Sequence, residues 1–82
     1  MCKEKRKVFL IHEWERYNRV FTGNVFCTFE DALGHILVLI HAKENDKYCI
    51  EEIRKDDLWE VENEFGLYYI ECGFLYGDFV NG

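Results

Sequence analysis

Apolar and polar positions change period several times along the chain, and each period predicts one type of element. Residues 8–12 form a compact apolar run, and residues 19–27 alternate in the manner of a second strand. Within the second stretch, Gly23 and Asn24 predict a bulge or a tight turn. The polar and aromatic residues 13–18 show no clear period, so we expect them to form a loop.

A helix is the clearest element in the pattern. Thr28 is a favoured N-cap residue, and Asp31 follows at the spacing of a capping box. Apolar residues then recur at the spacing of a single helix face, namely Phe29, Ala32, Leu33, Ile36, Leu37 and Ile40. Lys43 suits the C-terminal end of the helix dipole, and we expect Asn45 to end the helix.

Three further strands are expected after the helix, at residues 47–53, 58–64 and 67–75, with turn residues between them. The order is therefore β-β-α-β-β-β, and the short connections favour antiparallel pairing. One helix packed on one face of a five-stranded antiparallel sheet gives a small α+β domain. We expect a single domain over residues 1–82, with an ordered core at 7–76, whose other face is wetter or covered by a partner.

Composition excludes several classes of protein. A chain of 82 residues has room for one domain, and its 49% of apolar residues argues against a disordered tail. The longest apolar run has five residues, whereas a membrane span needs about 20. The chain has no serine and so cannot be a serine hydrolase. Its first residues lack the long apolar region of a signal peptide, which predicts a cytoplasmic location.

The cysteines and the known catalytic motifs predict neither a cofactor nor an enzyme. Cys2, Cys27, Cys49 and Cys72 are expected to be free thiols, and no two have the spacing of a zinc-binding pair. The motifs for phosphate-binding loops, dinucleotide sites, zinc proteases and nucleophile elbows are all missing from the sequence. A thiol-dependent enzyme stays open as one alternative, because pairing of the first two strands leaves room for a Cys27–His12 pair.

Charge is distributed unevenly along the chain, whose formal net charge is −6. Residues 1–20 carry six basic and three acidic side chains, whereas residues 44–82 carry three basic and eleven acidic side chains. Alternation along the fourth strand places Glu60, Glu62 and Glu64 on one face, at steps of about 6.6 Å. Phosphates on one strand of B-DNA advance about 3.4 Å per nucleotide along the axis, and because the backbone winds, the spacing of neighbouring phosphates along it is nearer to two such steps, close to that of the glutamates.

This acidic row predicts a protein that imitates nucleic acid. Its expected partner is a basic nucleic-acid-binding protein, and the same charge argues against direct nucleic-acid contact and gives no reason to expect membrane binding. Five further acidic residues are expected to widen the patch where strand pairing allows it, namely Glu51, Glu52, Asp56, Asp57 and Glu71. Tyr69, together with Trp14 and Tyr17 in the expected loop, is predicted to anchor the partner, because Trp and Tyr are favoured at interfaces.

Two segments carry a resemblance to other proteins. Residues 7–12 (KVFLIH), followed by residues 25–32 (VFCTFEDA), are similar to small phage and bacterial proteins in which a strand is followed by V-F-x-T-x-E-x-A at the start of a helix. In size and acidity the chain also resembles phage inhibitors of host defence, including anti-CRISPR proteins. The resemblance implies a non-enzymatic inhibitor that binds a host protein. The alternative is a homodimer or larger homo-oligomer, structural or ligand-binding, that uses the uncovered sheet face.

Overall fold

Two long central strands organise the computed structural model, which describes residues 4–42 and 47–77. β1 (Glu4–Glu15) and β5 (Gly66–Gly77) pair antiparallel through ten residue pairs. The remaining strands are β2 (Asn18–Phe26), β3 (Cys49–Arg54) and β4 (Leu58–Asn63). The sheet has the order β2-β1-β5-β4-β3, and every pair in it is antiparallel. The predicted α+β fold with five strands and one helix is confirmed.

The single helix α1 (Phe29–Leu39) connects the two edge strands and packs on one face of the sheet. Thr28 is its N-cap, and the Thr28 hydroxyl accepts a hydrogen bond of 3.1 Å from the backbone N–H of Asp31, as predicted. The hydrophobic core joins helix residues to β1, β4 and β5, and its members are Phe9, Ile11, Ala32, Ile36, Ile40, Ala42, Val61 and Ile70. The predicted apolar stripe of the helix is therefore confirmed.

The end of the helix differs from the expectation. α1 stops at Leu39, and the N–H of Ala42 bonds to the carbonyl of Leu37 while the N–H of His41 bonds to that of Val38. This pair of bonds is a Schellman motif, and it places His41 at a positive φ of 56°. Glycine usually occupies that position, so nothing in the sequence marked the end of the helix here. The expected stop residues Lys43 and Asn45 lie outside the described residues.

The expected loop at residues 13–18 is wrong. β1 continues to Glu15, which pairs with Asn18 at the start of β2, so only Arg16 and Tyr17 form the turn. Both turn residues have positive φ, 47° and 68°, as in the two-residue turns that match the twist of a hairpin. Such turns favour Asn-Gly, and a hairpin turn made of Arg and Tyr leaves no recognisable signal in the sequence.

The bulge expected at Gly23 and Asn24 is confirmed. Leu10 pairs with Val25 and His12 pairs with Phe21, so β2 carries extra residues between these pairs. Gly23 lies there with a φ of 92°, which L side chains rarely adopt. No helix in the described part of the chain has the length and apolar character needed to cross a membrane.

The strained turn gives a prediction about stability. Replacing Arg16 and Tyr17 with Asn and Gly is expected to raise the free energy of unfolding by about 1 kcal/mol, because these residues adopt positive φ at lower cost. Urea denaturation measures the change. The matched control is Tyr17→Ala, which removes the ring and keeps the strain, and it should bring no gain. A double variant that is less stable than the wild type would contradict the assignment of strain to this turn.

Candidate protein-binding surface

The sheet face opposite α1, here called the open face, is assembled from alternate residues of all five strands. Strand register arranges these residues in rows that cross the sheet. One row runs from β2 to β3 as Phe21, His12, Tyr69, Glu60 and Glu51. The next row runs in the same direction as Val25, Leu10, Glu71, Leu58 and Arg54. Across the first row the chemistry therefore changes from aromatic to acidic.

The aromatic half of the open face consists of Trp14, Phe21 and Tyr69. Trp14 and Phe21 are 45% and 48% exposed, which is high for large apolar side chains in strands. The rings of Trp14 and Tyr69 lie 6.4 Å apart, and the Arg19 guanidinium lies 5.5 Å from the centre of the Tyr69 ring. The predicted anchors Trp14 and Tyr69 are thus brought together, in a strand pair and not in a loop.

Tyr17, the third predicted anchor, lies apart from this cluster. It occupies the tip of the β1–β2 turn and is 94% exposed. Its position at a positive φ fixes the direction of the backbone but leaves the ring in solvent. Tyr17 therefore adds to the surface only where a partner extends past the end of the hairpin.

The acidic half of the open face consists of Glu51, Glu60 and Glu62. Glu51 pairs directly with Glu60 across β3 and β4, and Glu62 follows two residues further along β4. Directly opposed residues have their Cβ atoms about 5 Å apart. Glu51 and Glu62 are exposed, whereas Glu60 is half-buried and accepts a hydrogen bond of 3.1 Å from the Tyr69 hydroxyl. Within residues 4–42 and 47–77, no ion pair involves any of these three carboxylates.

The predicted row of three glutamates on one strand is only partly correct. β4 ends at Asn63, so Glu64 is exposed in the turn that leads to β5 and does not continue the row. Asn63 fixes this turn through a hydrogen bond of 2.8 Å from the Phe65 N–H to its side-chain oxygen. Register supplies Glu51 from β3 as the third carboxylate. Sequence reasoning placed Glu51 only at the margin of the patch, because its position depends on strand pairing.

Two of the residues expected to widen the acidic patch form ion pairs with the same arginine within the protein. Arg54 lies 2.7 Å from Asp57 and 2.8 Å from Glu71, and His12 lies 3.1 Å from the other oxygen of Glu71. Asp57 and Glu71 therefore share the single positive charge of Arg54 and add less negative charge to the patch than two unpaired carboxylates would. Asp56 is exposed in the β3–β4 turn at a φ of 57°, where its N–H donates a hydrogen bond of 2.9 Å to Glu52.

The environment of Glu71 shifts its pKa. Burial raises the pKa, but the hydrogen bond from Arg54 and the charges of His12, Arg19 and Arg54 outweigh burial and hold the pKa below its usual range. Burial and the hydrogen bond to Glu60 raise the pKa of Tyr69, so its hydroxyl stays a neutral donor. Arg54 is thus paired with Asp57 and Glu71 and supplies no counter-charge to the acidic half.

The lowered pKa of Glu71 predicts a pH-dependent effect on stability. A carboxylate with a depressed pKa stabilises the folded state above its unfolded pKa, and that contribution is lost as the pH falls through the folded value. We expect Glu71→Gln to lower the free energy of unfolding by about 1 kcal/mol or less at pH 7, and the difference to vanish at strongly acid pH. Urea denaturation at a series of pH values measures it. Glu62→Gln is the control, and an effect of Glu71→Gln that does not change with pH would contradict the prediction.

The β1–β2 register separates Cys27 from His12. His12 pairs with Phe21, whereas Cys27 follows Phe26, which pairs with Phe9, so strand pairing does not bring the two side chains of this alternative together. Cys27 and Cys49 are exposed free thiols, Cys72 is half-buried, and Cys2 lies outside the described residues. In the described part of the chain, no group of three or more His, Cys, Asp or Glu residues is placed to hold a metal ion.

Comparison with known proteins finds no relative of this chain. The chain has no significant match among protein-family models, curated proteins or solved structures. The resemblance of residues 7–12 and 25–32 to small phage and bacterial proteins therefore stays a prediction.

Proposed function

We propose that this chain is a non-enzymatic, cytoplasmic inhibitor or modulator that binds a basic nucleic-acid-binding protein through its open face. The carrying observation is the cluster of Glu51, Glu60 and Glu62, which the β3–β4 register brings together and which no basic residue of the described ranges joins in an ion pair. Like charges directly opposed across two strands destabilise a sheet. A basic partner relieves this repulsion and so gains affinity from it.

The spacing of the acidic half supports imitation of nucleic acid. Carboxylates two residues apart on a strand are separated by about 6.6 Å, close to the spacing of neighbouring phosphates along the winding backbone of B-DNA, which is about twice the axial rise of 3.4 Å per nucleotide. Glu51 widens the cluster sideways, so a groove or cleft lined with Lys and Arg would meet charges from two strands. Negative charge on this scale also speeds the encounter with a basic surface and makes binding sensitive to salt.

The aromatic half supplies a second element of the proposed interface. Trp14 and Tyr69 are adjacent and lie beside the acidic half, because Tyr69 pairs with Glu60. Aromatic faces next to carboxylates suit Arg-rich partners, since a guanidinium can form an ion pair and stack on a ring. The contact of Arg19 with Tyr69 shows this geometry within the chain itself.

A triple substitution tests the acidic half. Glu51→Gln, Glu60→Gln and Glu62→Gln together are expected to reduce partner binding at least about tenfold while leaving stability unchanged or higher, because the mutual repulsion is removed. The measurement is affinity capture from nuclease-treated lysate with partners identified by mass, followed by titration of the purified partner. Binding that DNA or RNA displaces would support imitation of nucleic acid.

A matched control separates local from overall charge. Glu15→Gln, Glu30→Gln and Asp31→Asn change the net charge by the same amount at exposed sites away from the open face. This control should bind like the wild type. Equal capture of the same partner by the wild type and by the Glu51, Glu60 and Glu62 variant would overturn the proposed function.

A homodimer is the second candidate, and the exposure of Trp14 and Phe21 on the open face is the observation that favours it. Burial of these rings against a second copy would give a tight complex that is insensitive to salt. The proposed inhibitor predicts instead a monomer whose molar mass stays constant with concentration. Sedimentation equilibrium distinguishes the two, with Phe21→Glu as the variant that breaks such a dimer and Val38→Glu, on the exposed side of α1, as the control.

A further inference from the structure

We propose that the outer edge of β3 (Cys49–Arg54) is a docking site for an extended basic segment of the partner, which adds to the sheet as a sixth strand. This inference rests on the proposed function and names the form in which the partner is recognised. β3 is the last strand of the sheet, so one of its edges has no neighbouring strand among the described residues. Unpaired strand edges are templates for extended chains, which bind them through backbone hydrogen bonds.

The geometry of β3 defines the usable part of this edge. Its register with β4 is regular from Cys49 to Glu52 and shifts before Arg54. Alternate residues of an antiparallel pair direct their backbone groups to the same neighbour, so two of these four residues direct theirs away from β4. All six residues of β3 are exposed, including Ile50 at 43%, because α1 does not cover this part of the sheet.

The side chains of β3 specify the chemistry of the added strand. Glu51 lies on the open face within the acidic half, and a residue beside it on the added strand is expected to be Lys or Arg. Ile50 lies on the opposite face, where it pairs with Val61, and a residue beside it is expected to be apolar. The occupant is therefore a segment that alternates basic and apolar residues.

The same features disfavour a second copy of this chain. Two β3 strands joined edge to edge would place two acidic halves side by side on one face of the sheet, and the like charges repel. The outer edge of β2 is a poor template for an added strand. It carries the bulge at Gly23, where the Thr22 hydroxyl lies 2.8 Å from the side-chain oxygen of Asn24.

A peptide with blocked backbone donors tests the proposal. The probe is a seven-residue peptide of alternating Lys and Val, with two further versions that carry N-methyl groups on all Lys or on all Val nitrogens. Only one alternate set of nitrogens faces β3 in an added strand, so one methylated version should lose affinity about tenfold or more and the other should not. Backbone amide shifts of the ¹⁵N-labelled full chain report the site. They should be largest at Cys49–Glu52 and small at Arg19–Phe21 on the opposite edge.

The outcomes separate this inference from the proposed function. If both methylated peptides bind as tightly as the parent, charge alone drives binding, and the edge proposal is overturned while the acidic half remains the site. Equal shifts at both sheet edges, or no binding of the parent peptide, also overturn it. A peptide of alternating Glu and Val is the charge control, and binding as tight as that of the Lys peptide would overturn both proposals.

Discussion

The pairing of β1 with β5 is the interaction on which the rest of the molecule depends. These strands have 12 residues each and extend for about 40 Å, whereas α1 has 11 residues and a length of about 16 Å. The helix can therefore bury only a central portion of one face, where Ile36 and Ile40 meet Ile11 and Ile70. No element of the described residues covers the open face, so its rings stay exposed, and α1 packs on β5, β1 and β2 without extending over β3.

Strand order separates the charges as well as the elements. The sheet places β2 and β1, from the basic first part of the chain, at one side and β4 and β3, from the acidic last part, at the other. Arg54 is the basic residue of the acidic side that makes ion pairs, and it is held by Asp57 and Glu71. The ion pairs of Arg54 thus leave Glu51, Glu60 and Glu62 without this cation as a partner.

Sequence reasoning succeeded where the signal is local. The N-cap at Thr28 and the apolar face of α1 depend on spacings of a few residues, and the structure has both. The turn at Arg16 and Tyr17 and the helix end at His41 were missed because L residues occupy conformations that glycine or asparagine would have marked. The position of Glu51 opposite Glu60 was missed for a different reason, since it depends on strand register, which no single segment encodes.

The pairing of β1 with β5 joins the two ends of the described chain, and this affects how the chain folds. His12 and Glu71 meet across β1 and β5 although they are 59 positions apart, so the central pairing is among the most non-local in the molecule. Contacts of such separation slow folding, because closing the long loop costs conformational entropy before the stabilising contacts between the strands have formed. During synthesis, the edge of β1 that pairs with β5 stays unpaired until β5 has been made. The β1–β2 hairpin is the element that can form in the meantime, and it shields the other edge of β1 from aggregation.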